Sequence, residues 1–220
     1  MGTNTLDLKS LRVYYLGMDN NKFKLIKTLY CDEKLSMREI SEKLGVNIDT
    51  VVYFMRKNKI PRRSLKEANA LLFKNKKLSF KENNTLSFIE EQLKLAGLIL
   101  YWGEGYKTIK SHGIDFANSD PDMVAIFVKF LRVIYRVDEK RFRILLYCYA
   151  NQDIKSLIRF WSKLTGIPKK QFSKPYVRKD FKENGRKMKY GMVHIRYADK
   201  KLFLSIMESV EEFKLKMRRW

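Results

Sequence analysis

The sequence predicts an α+β chain in two modules: three helices at the N-terminus, then a larger module in which helices alternate with strands of an antiparallel sheet. Three observations lead there. Apolar residues recur at helical spacing between recognisable caps over 22–60, and residues 75–84 are polar enough for a linker. Beyond residue 105, segments of period two alternate with segments of period 3.6. The boundary is therefore expected near 80–86, with 1–80 forming the first module and its linker and 86–220 the second. Only 4 Pro and 10 Gly, with 45% hydrophobic side chains, fit a chain that buries cores rather than one that stays disordered.

In the first module, Phe23, Leu25, Ile26 and Leu29 define the opening helix. Ser36 is an N-cap whose partner Glu39 completes a capping box. The helix it opens runs through Met37, Ile40 and Leu44 and stops at Gly45, which tolerates the left-handed C-cap conformation. Asn47 caps a third helix, NIDTVVYFMRKNK, which Pro61 halts. Ser41, Gly45 and Val51 stand at the spacing of a helix-turn-helix: a small residue for close packing, a glycine for the turn and an apolar anchor, reinforced by Phe54. That leaves Asn47, Asp49, Thr50, Tyr53, Arg56 and Lys57 for the outer face of the third helix, the face suited to a major groove. After Pro61, Arg62 and Arg63 are placed to grip phosphate or a minor groove as basic arms do. Residues 64–74 read as a further short helix.

Charge indicates what that face is for. Lys and Arg total 46 against 24 acidic residues, a net charge of +22. The excess is spread along the chain, with 18 basic and 10 acidic residues in 1–90 and 28 and 14 beyond. A fold with that imbalance repels itself unless a polyanion takes up the field, which points to duplex nucleic acid. Cys31 and Cys148 show no CxxC spacing, and His112 and His194 do not complete a zinc site with them; core thiols in a reducing compartment are expected. No apolar run approaches the roughly 18 residues of a membrane span. The N-terminal MGTNTLDLKS lacks the pattern of a signal peptide. A cytoplasmic protein with no membrane partner is the expectation.

The second module opens with a helix over 86–104 whose centre reads LAGLILYWGEG (95–105). Gly97, Tyr101 and Glu104 share a helical stripe, and the small residues Ala96, Gly97 and Gly103 would let a second helix approach closely. Residues 106–118 read as a hairpin, YKTIK then IDFANS, turning at Gly113. Asp120 caps and Pro121 opens the helix DMVAIFVKFLRVIYR. A strand over 142–150 follows, then a helix, DIKSLIRFWSKL, closed by Gly166 and Pro168. Two strands near 171–178 and 190–197, joined by the loop DFKENGRKMK, and a helix over 200–213 complete the module.

The run LAGLILYWGEG resembles the signature helix of the LAGLIDADG homing endonucleases. Its first five letters match the family's name motif and it closes on an acid followed by glycine. GEGYKTIK is similar to the acid-Gly-x-Lys loop of single-chain archaeal members, and the strand–NSDP–helix text that follows is similar to the family's β-β-α continuation. The likeness covers 88 to roughly 215 and leaves the N-terminal module outside; Gly97 and Glu104 stand further apart than the corresponding pair in the family. The resemblance implies an αββαβ-type domain with a DNA-binding sheet, in which two signature helices abut and bring a carboxylate from each to the end of the seam. With one signature visible, it implies a homodimer through the helix 88–104. It further implies that Glu104 ligates Mg²⁺ with the carbonyl of Gly103, and that Lys107 occupies the place of the post-motif lysine, stabilising the phosphate or orienting water. Two carboxylates that close stay ionised together beside a divalent cation, and Mg²⁺ polarises a scissile phosphate and helps activate water. Asn118 and Asp120, at the end of the second expected strand, are candidates for holding the water network.

Strand periodicity supplies a second surface. In YGMVHIRYA, Val193 and Ile195 point one way and Tyr190, Met192, His194 and Arg196 the other; in FSKPYVRK, Lys174, Tyr176 and Arg178 share a face. A cationic face with interleaved aromatics suits a β-ribbon or saddle in a major groove. Between residues 169 and 196 stand ten basic residues and two acids, Asp180 and Glu183. Lys110, Arg141 and Arg143 join this DNA-facing set. The expectation is a site-specific double-stranded DNA endonuclease, Mg²⁺-dependent and homodimeric, whose recognised site the helix-turn-helix extends. The alternative is a sequence-specific transcription regulator that retains the fold without cleavage, which the stretched signature favours. An RNA-binding reading is disfavoured, because no RNP-like stacking run is present.

Overall fold

The computed structural model describes residues 20–108, 110–179 and 188–219. It separates into a unit reaching to Lys77 and a unit from Leu78 onward. The first contains α1 (Asn20–Lys27), a π-helical turn (Thr28–Asp32), α2 (Met37–Leu44), α3 (Ile48–Lys57) and α4 (Leu65–Asn75). Local chemistry sets these boundaries. Ser36 Oγ accepts from the Glu39 N–H while Glu39 accepts from the Ser36 N–H, and Gly45 ends α2 at φ 64°, where a side chain would be strained. Asn47 accepts from the Asp49 N–H to start α3. The core of the unit is Ile26, Leu29, Tyr30, Ile40, Val51, Phe54 and Met55. Helix α4 opens with the capping box of Ser64 and Glu67 but buries none of its residues.

The second unit begins inside the segment expected as linker. The Lys81 N–H donates to the Tyr135 carbonyl at 2.9 Å, the Asn83 N–H to that of Ile134 at 2.7 Å, and the Asp138 N–H to that of Ser79 at 3.0 Å. Residues 79–83 are thus bound to the unit rather than linking it, because their backbone groups find partners at the end of a helix. The elements are α5 (Phe88–Glu104), β1 (Ile114–Asn118), α6 (Pro121–Tyr135), β2 (Phe142–Tyr149), α7 (Ile154–Thr165), β3 (Tyr176–Arg178), β4 (Met192–Tyr197) and α8 (Lys200–Arg218). The fold is α+β. Among the described residues no helix is long and apolar enough to cross a membrane.

The sheet order is β1-β4-β2-β3. Strand β4 pairs antiparallel with β1 and with β2, whereas β3 pairs parallel with β2, so the sheet is mixed and not antiparallel throughout. The cause is the connection: the chain leaves β2, crosses through α7 and returns in the same direction. The loop expected between the last two strands falls, at 180–187, outside the described residues. The expected hairpin at 106–118 also changes. Only its second arm forms a strand, β1; pairing in front of it consists of the Gly105–Phe116 bridge and a Tyr106 N–H bond to the Asp115 carbonyl, among the described residues. The intervening chain curls back on itself, with the Ser111 N–H on the Thr108 carbonyl, so the αββαβ order gives way to one strand between α5 and α6.

One sheet face is covered and the other is open. Phe142, Ile144, Leu146 and Cys148 of β2 and Val193, Ile195 and Tyr197 of β4 are buried, joined in the core by Tyr101, Phe127, Leu131, Trp161 and Ile206 from the helices. Phe127 stacks on Phe116 with ring centroids 4.1 Å apart. Gly97 faces this core: a Cβ there would sit 2.1 Å from the Phe130 ring, so its lack of a side chain lets α6 close against α5. The stripe through Gly97 and Tyr101, expected to meet a second signature helix, is therefore filled by the chain's own α6.

Candidate functional site

Three stretches of backbone meet at one end of strands β1 and β4. Helix α5 ends at Glu104, β1 ends at Asn118 and leads directly into the N-cap of α6, and the turn at 188–190 delivers the chain into β4. That turn is anchored from α7 and the segment before it. The Trp161 indole N–H donates to the Tyr190 carbonyl at 2.7 Å, Gln152 Nε2 donates to the Met188 carbonyl at 2.8 Å, and Phe160 stacks on Tyr190 with centroids 4.0 Å apart. Between them lies a cleft of about 630 Å³ whose lining includes Glu104, Asn118, Asp120, Lys189, Tyr190 and Met192. Three of the four residues proposed from the sequence as catalytic are thus gathered in one depression, although Glu104 lies 14 positions before Asn118.

Each has local work as well. Asp120 Oδ1 accepts from the N–H groups of Asp122 and Met123 at 2.8 and 3.1 Å, capping α6. Asn118 Oδ1 accepts from the Asp120 N–H at 2.8 Å and its Nδ2 donates to the Met123 sulfur. Glu104 is exposed in the last turn of α5, beside exposed Gly103. Lys107 lies elsewhere: its ammonium donates to the carbonyls of Trp102 and Gly105, both at 2.8 Å, and it does not line the cleft. A helix C-terminus leaves carbonyls without intrahelical donors, and a nearby lysine is drawn to them. Among the described residues, the cation that lines the cleft is Lys189, one of the ten basic residues between 169 and 196.

The open sheet face continues from this cleft. Met192, which lines it, also lines a second depression with Tyr147, Tyr176, Val177, Arg178 and Lys179. Across the strands, Asp115 lies opposite Arg196 and Arg196 opposite Arg143, while Met192 lies opposite Tyr147 and Tyr147 beside Tyr176. The alternation expected for Met192, His194 and Arg196 holds, whereas Tyr190 precedes the strand. Tyr147 lies 5.0 Å from Tyr176 and 4.8 Å from His194, ring to ring, and Arg178 is over the Tyr149 ring. Lys110, Lys174, Tyr176 and Arg178 are exposed, as is His112. Asp115 was not anticipated. It accepts from Arg196 Nε at 2.9 Å and shares a hydrogen bond with His194 Nδ1 at 2.7 Å. Burial pushes its carboxyl up, but the His194 bond and the charges of His194 and Arg196 prevail and hold it below the usual carboxylate range.

Several residues assigned to DNA turn inward. Thr50 is 7% exposed, on the same side of α3 as Val51, which leaves Asn47, Asp49, Tyr53, Arg56 and Lys57 on the outer side. Arg62 is exposed, but Arg63 is half-buried and turned against its own unit. Its guanidinium donates to the carbonyls of Tyr30 and Leu35 and lies 3.9 Å from the centroid of the Tyr30 ring, while its backbone N–H donates to the Tyr30 hydroxyl. It ties the chain after α3 to the turn after α1. Arg141 is half-buried, donating to the Ala198 carbonyl and facing Asp199 at 3.7 Å, whereas Arg143 stays exposed while donating to the carbonyls of Lys140 and Phe142. Burial of α5 side chains is one-sided: Leu95 and Ile99 are 42% and 46% exposed, with Phe88 and Trp102 along the same stripe.

Compared with known proteins, the chain matches no protein-family model, no curated protein and no solved structure.

Proposed function

We propose that the chain is a site-specific, Mg²⁺-dependent double-stranded DNA endonuclease acting as a homodimer, with a helix-turn-helix in the first unit and a LAGLIDADG-like arrangement in the second. The observation that carries this reading is the continuity of the acidic cleft with the cationic, aromatic sheet face through Met192. A duplex lying along that face brings its backbone to Glu104, Asn118 and Asp120. Phosphate contacts set register, and side chains on the strands reach base edges in the major groove.

The donor set suits a hard cation. Mg²⁺ takes one or two carboxylates and completes its shell with water and phosphate oxygens, and the cleft offers Glu104 and the second oxygen of Asp120. Bound there, Mg²⁺ would supply polarisation of the scissile phosphate and an activated water. Lys189, rather than Lys107, neutralises charge growing on the phosphate, and Asn118 holds the backbone N–H of Asp120, whose side chain caps α6. One chain offers no group of three His, Cys, Asp or Glu fit for a metal among the described residues. A second copy, docked through the apolar stripe of Phe88, Leu95, Ile99 and Trp102, covers side chains that water otherwise meets.

Incubating a supercoiled library of candidate sites with Mg²⁺ tests this. Wild type is expected to cut and Glu104→Gln to bind without cutting. Binding without cleavage by both proteins overturns the nuclease and leaves a second reading, a sequence-specific transcription regulator. The capping duties of Lys107 and Asp120 favour that second reading.

A further inference from the structure

On the open sheet face one carboxylate holds an arginine and a histidine. Asp115 of β1 faces Arg196 of β4 in register, with Oδ2 on Arg196 Nε and Oδ1 on His194 Nδ1. Their side chains are 26%, 41% and 18% exposed for Asp115, Arg196 and His194, so the guanidinium is the most open of the three. With the carboxylate ionised, the imidazole donates through Nδ1, and its ring is flanked by Tyr147. Arg143, the cross-strand neighbour of Arg196, is tied to the carbonyls of Lys140 and Phe142 and does not compete for Asp115.

A free arginine on a sheet samples many rotamers, and ordering it on binding costs affinity. Fixing Nε against a carboxylate removes much of that cost and defines the plane of the guanidinium. Its two Nη groups then form a parallel pair of donors, and among the described residues they have no other hydrogen bond. The only base that shows two acceptors side by side in the major groove is guanine, through O6 and N7; adenine pairs its N7 with a donor.

We infer that Asp115 is a positioning residue that presents Arg196 to guanine, so that this triad reads one G·C pair per protomer. The inference rests on the duplex-binding reading above and extends it to a named base. His194, locked by the same carboxylate, contacts the adjoining step.

The experiment is enrichment of sites from a random duplex library by wild type, Asp115→Asn, Asp115→Glu and Arg196→Lys, with folding of each checked by circular dichroism. Wild type should select a fixed guanine, and replacing that base with 7-deazaguanine, which lacks the N7 acceptor, should weaken binding about 10- to 100-fold. Asp115→Asn and Arg196→Lys should lose most of that penalty, and Asp115→Glu should regain part of it. If Asp115→Asn selects the same guanine with the same penalty, Asp115 only supports the sheet and the inference falls. Salt-sensitive duplex binding by wild type without any base preference also overturns it but leaves DNA binding standing. Failure to bind duplex at all overturns both.

Discussion

Asp115 and Asp199 each hold an arginine, yet one lies on the open side of the sheet and the other in the interior. Asp199 is 3% exposed. Its Oδ1 accepts from the N–H groups of Lys201 and Leu202, capping α8, while its Oδ2 takes the Ser79 hydroxyl and faces Arg141. Tyr197 extends the cluster by donating its hydroxyl to the Ser79 carbonyl at 2.8 Å and accepting from the Asp138 N–H. Most of these partners are backbone groups or fixed hydroxyls, so the cluster welds residue 79 and α8 to the sheet. Asp115 instead gathers two side chains, His194 and the more open Arg196. The same carboxylate chemistry makes architecture where the partners are backbone, and holds side chains in place on an open sheet face where the partners are Arg196 and His194.

Salt gives the largest effect with which to sharpen this contrast. If six to ten phosphates are contacted, duplex affinity falls by about 10³–10⁵-fold between roughly 50 and 200 mM salt. Lys174→Ala, on the exposed side, should lower the slope of log K against log salt by about one. Arg141→Ala should leave it unchanged, because that guanidinium is already engaged by Asp199 and Ala198. A smaller slope for Arg141→Ala than for wild type would break the distinction. Stability comes next. Asp199→Ala removes a helix cap and strands a partly buried arginine, and urea unfolding should show a loss of about 3 kcal/mol, whereas Asp115→Ala should cost about 1 kcal/mol or less. Equal losses would show that the two sites are equally structural.

Acid gives the smallest effect. Burial pushes the Asp199 carboxyl up, but the Ser79 hydroxyl, the two backbone N–H groups and the Arg141 charge outweigh it, so the folded value is lowered, as it is for Asp115. A lowered folded value means that the stabilisation is fully present above the unfolded pKa of about 3.9 and is lost as pH falls through the lower folded one. Wild-type stability should therefore drop below about pH 4. Asp199→Asn and Asp115→Asn should each flatten that drop, seen by urea unfolding across the acid range; an unchanged slope in both would sever the carboxylates from it.

Legibility in the sequence followed the range of the interaction. The Ser36–Glu39 box, the Gly45 stop, the Asn47 cap and the Asp120–Pro121 start all form as written, because each is completed within a few residues. The buried alternation of Val193 and Ile195 was readable for the same reason. The cleft was half legible. Glu104, Asn118 and Asp120 could be named from a motif and a strand end, but Lys189 enters it through anchors at Trp161 and Gln152 that no local pattern announces. Lys107 read as a catalytic lysine and Arg63 and Arg141 as DNA contacts because a basic side chain looks the same in sequence whether its partner is a phosphate or a carbonyl.

The amino-acid order alone was enough to establish the alternation of helices and strands, most helix starts and the large positive charge, since caps, periodicity and composition depend on neighbours along the chain. Which cations stay available, which strand runs parallel and which carboxylate supports Arg196 were settled by packing. Hydrogen bonds act over about 3 Å, and only the folded arrangement determines which distant groups, such as Asp115 and residues 194 and 196, come that close.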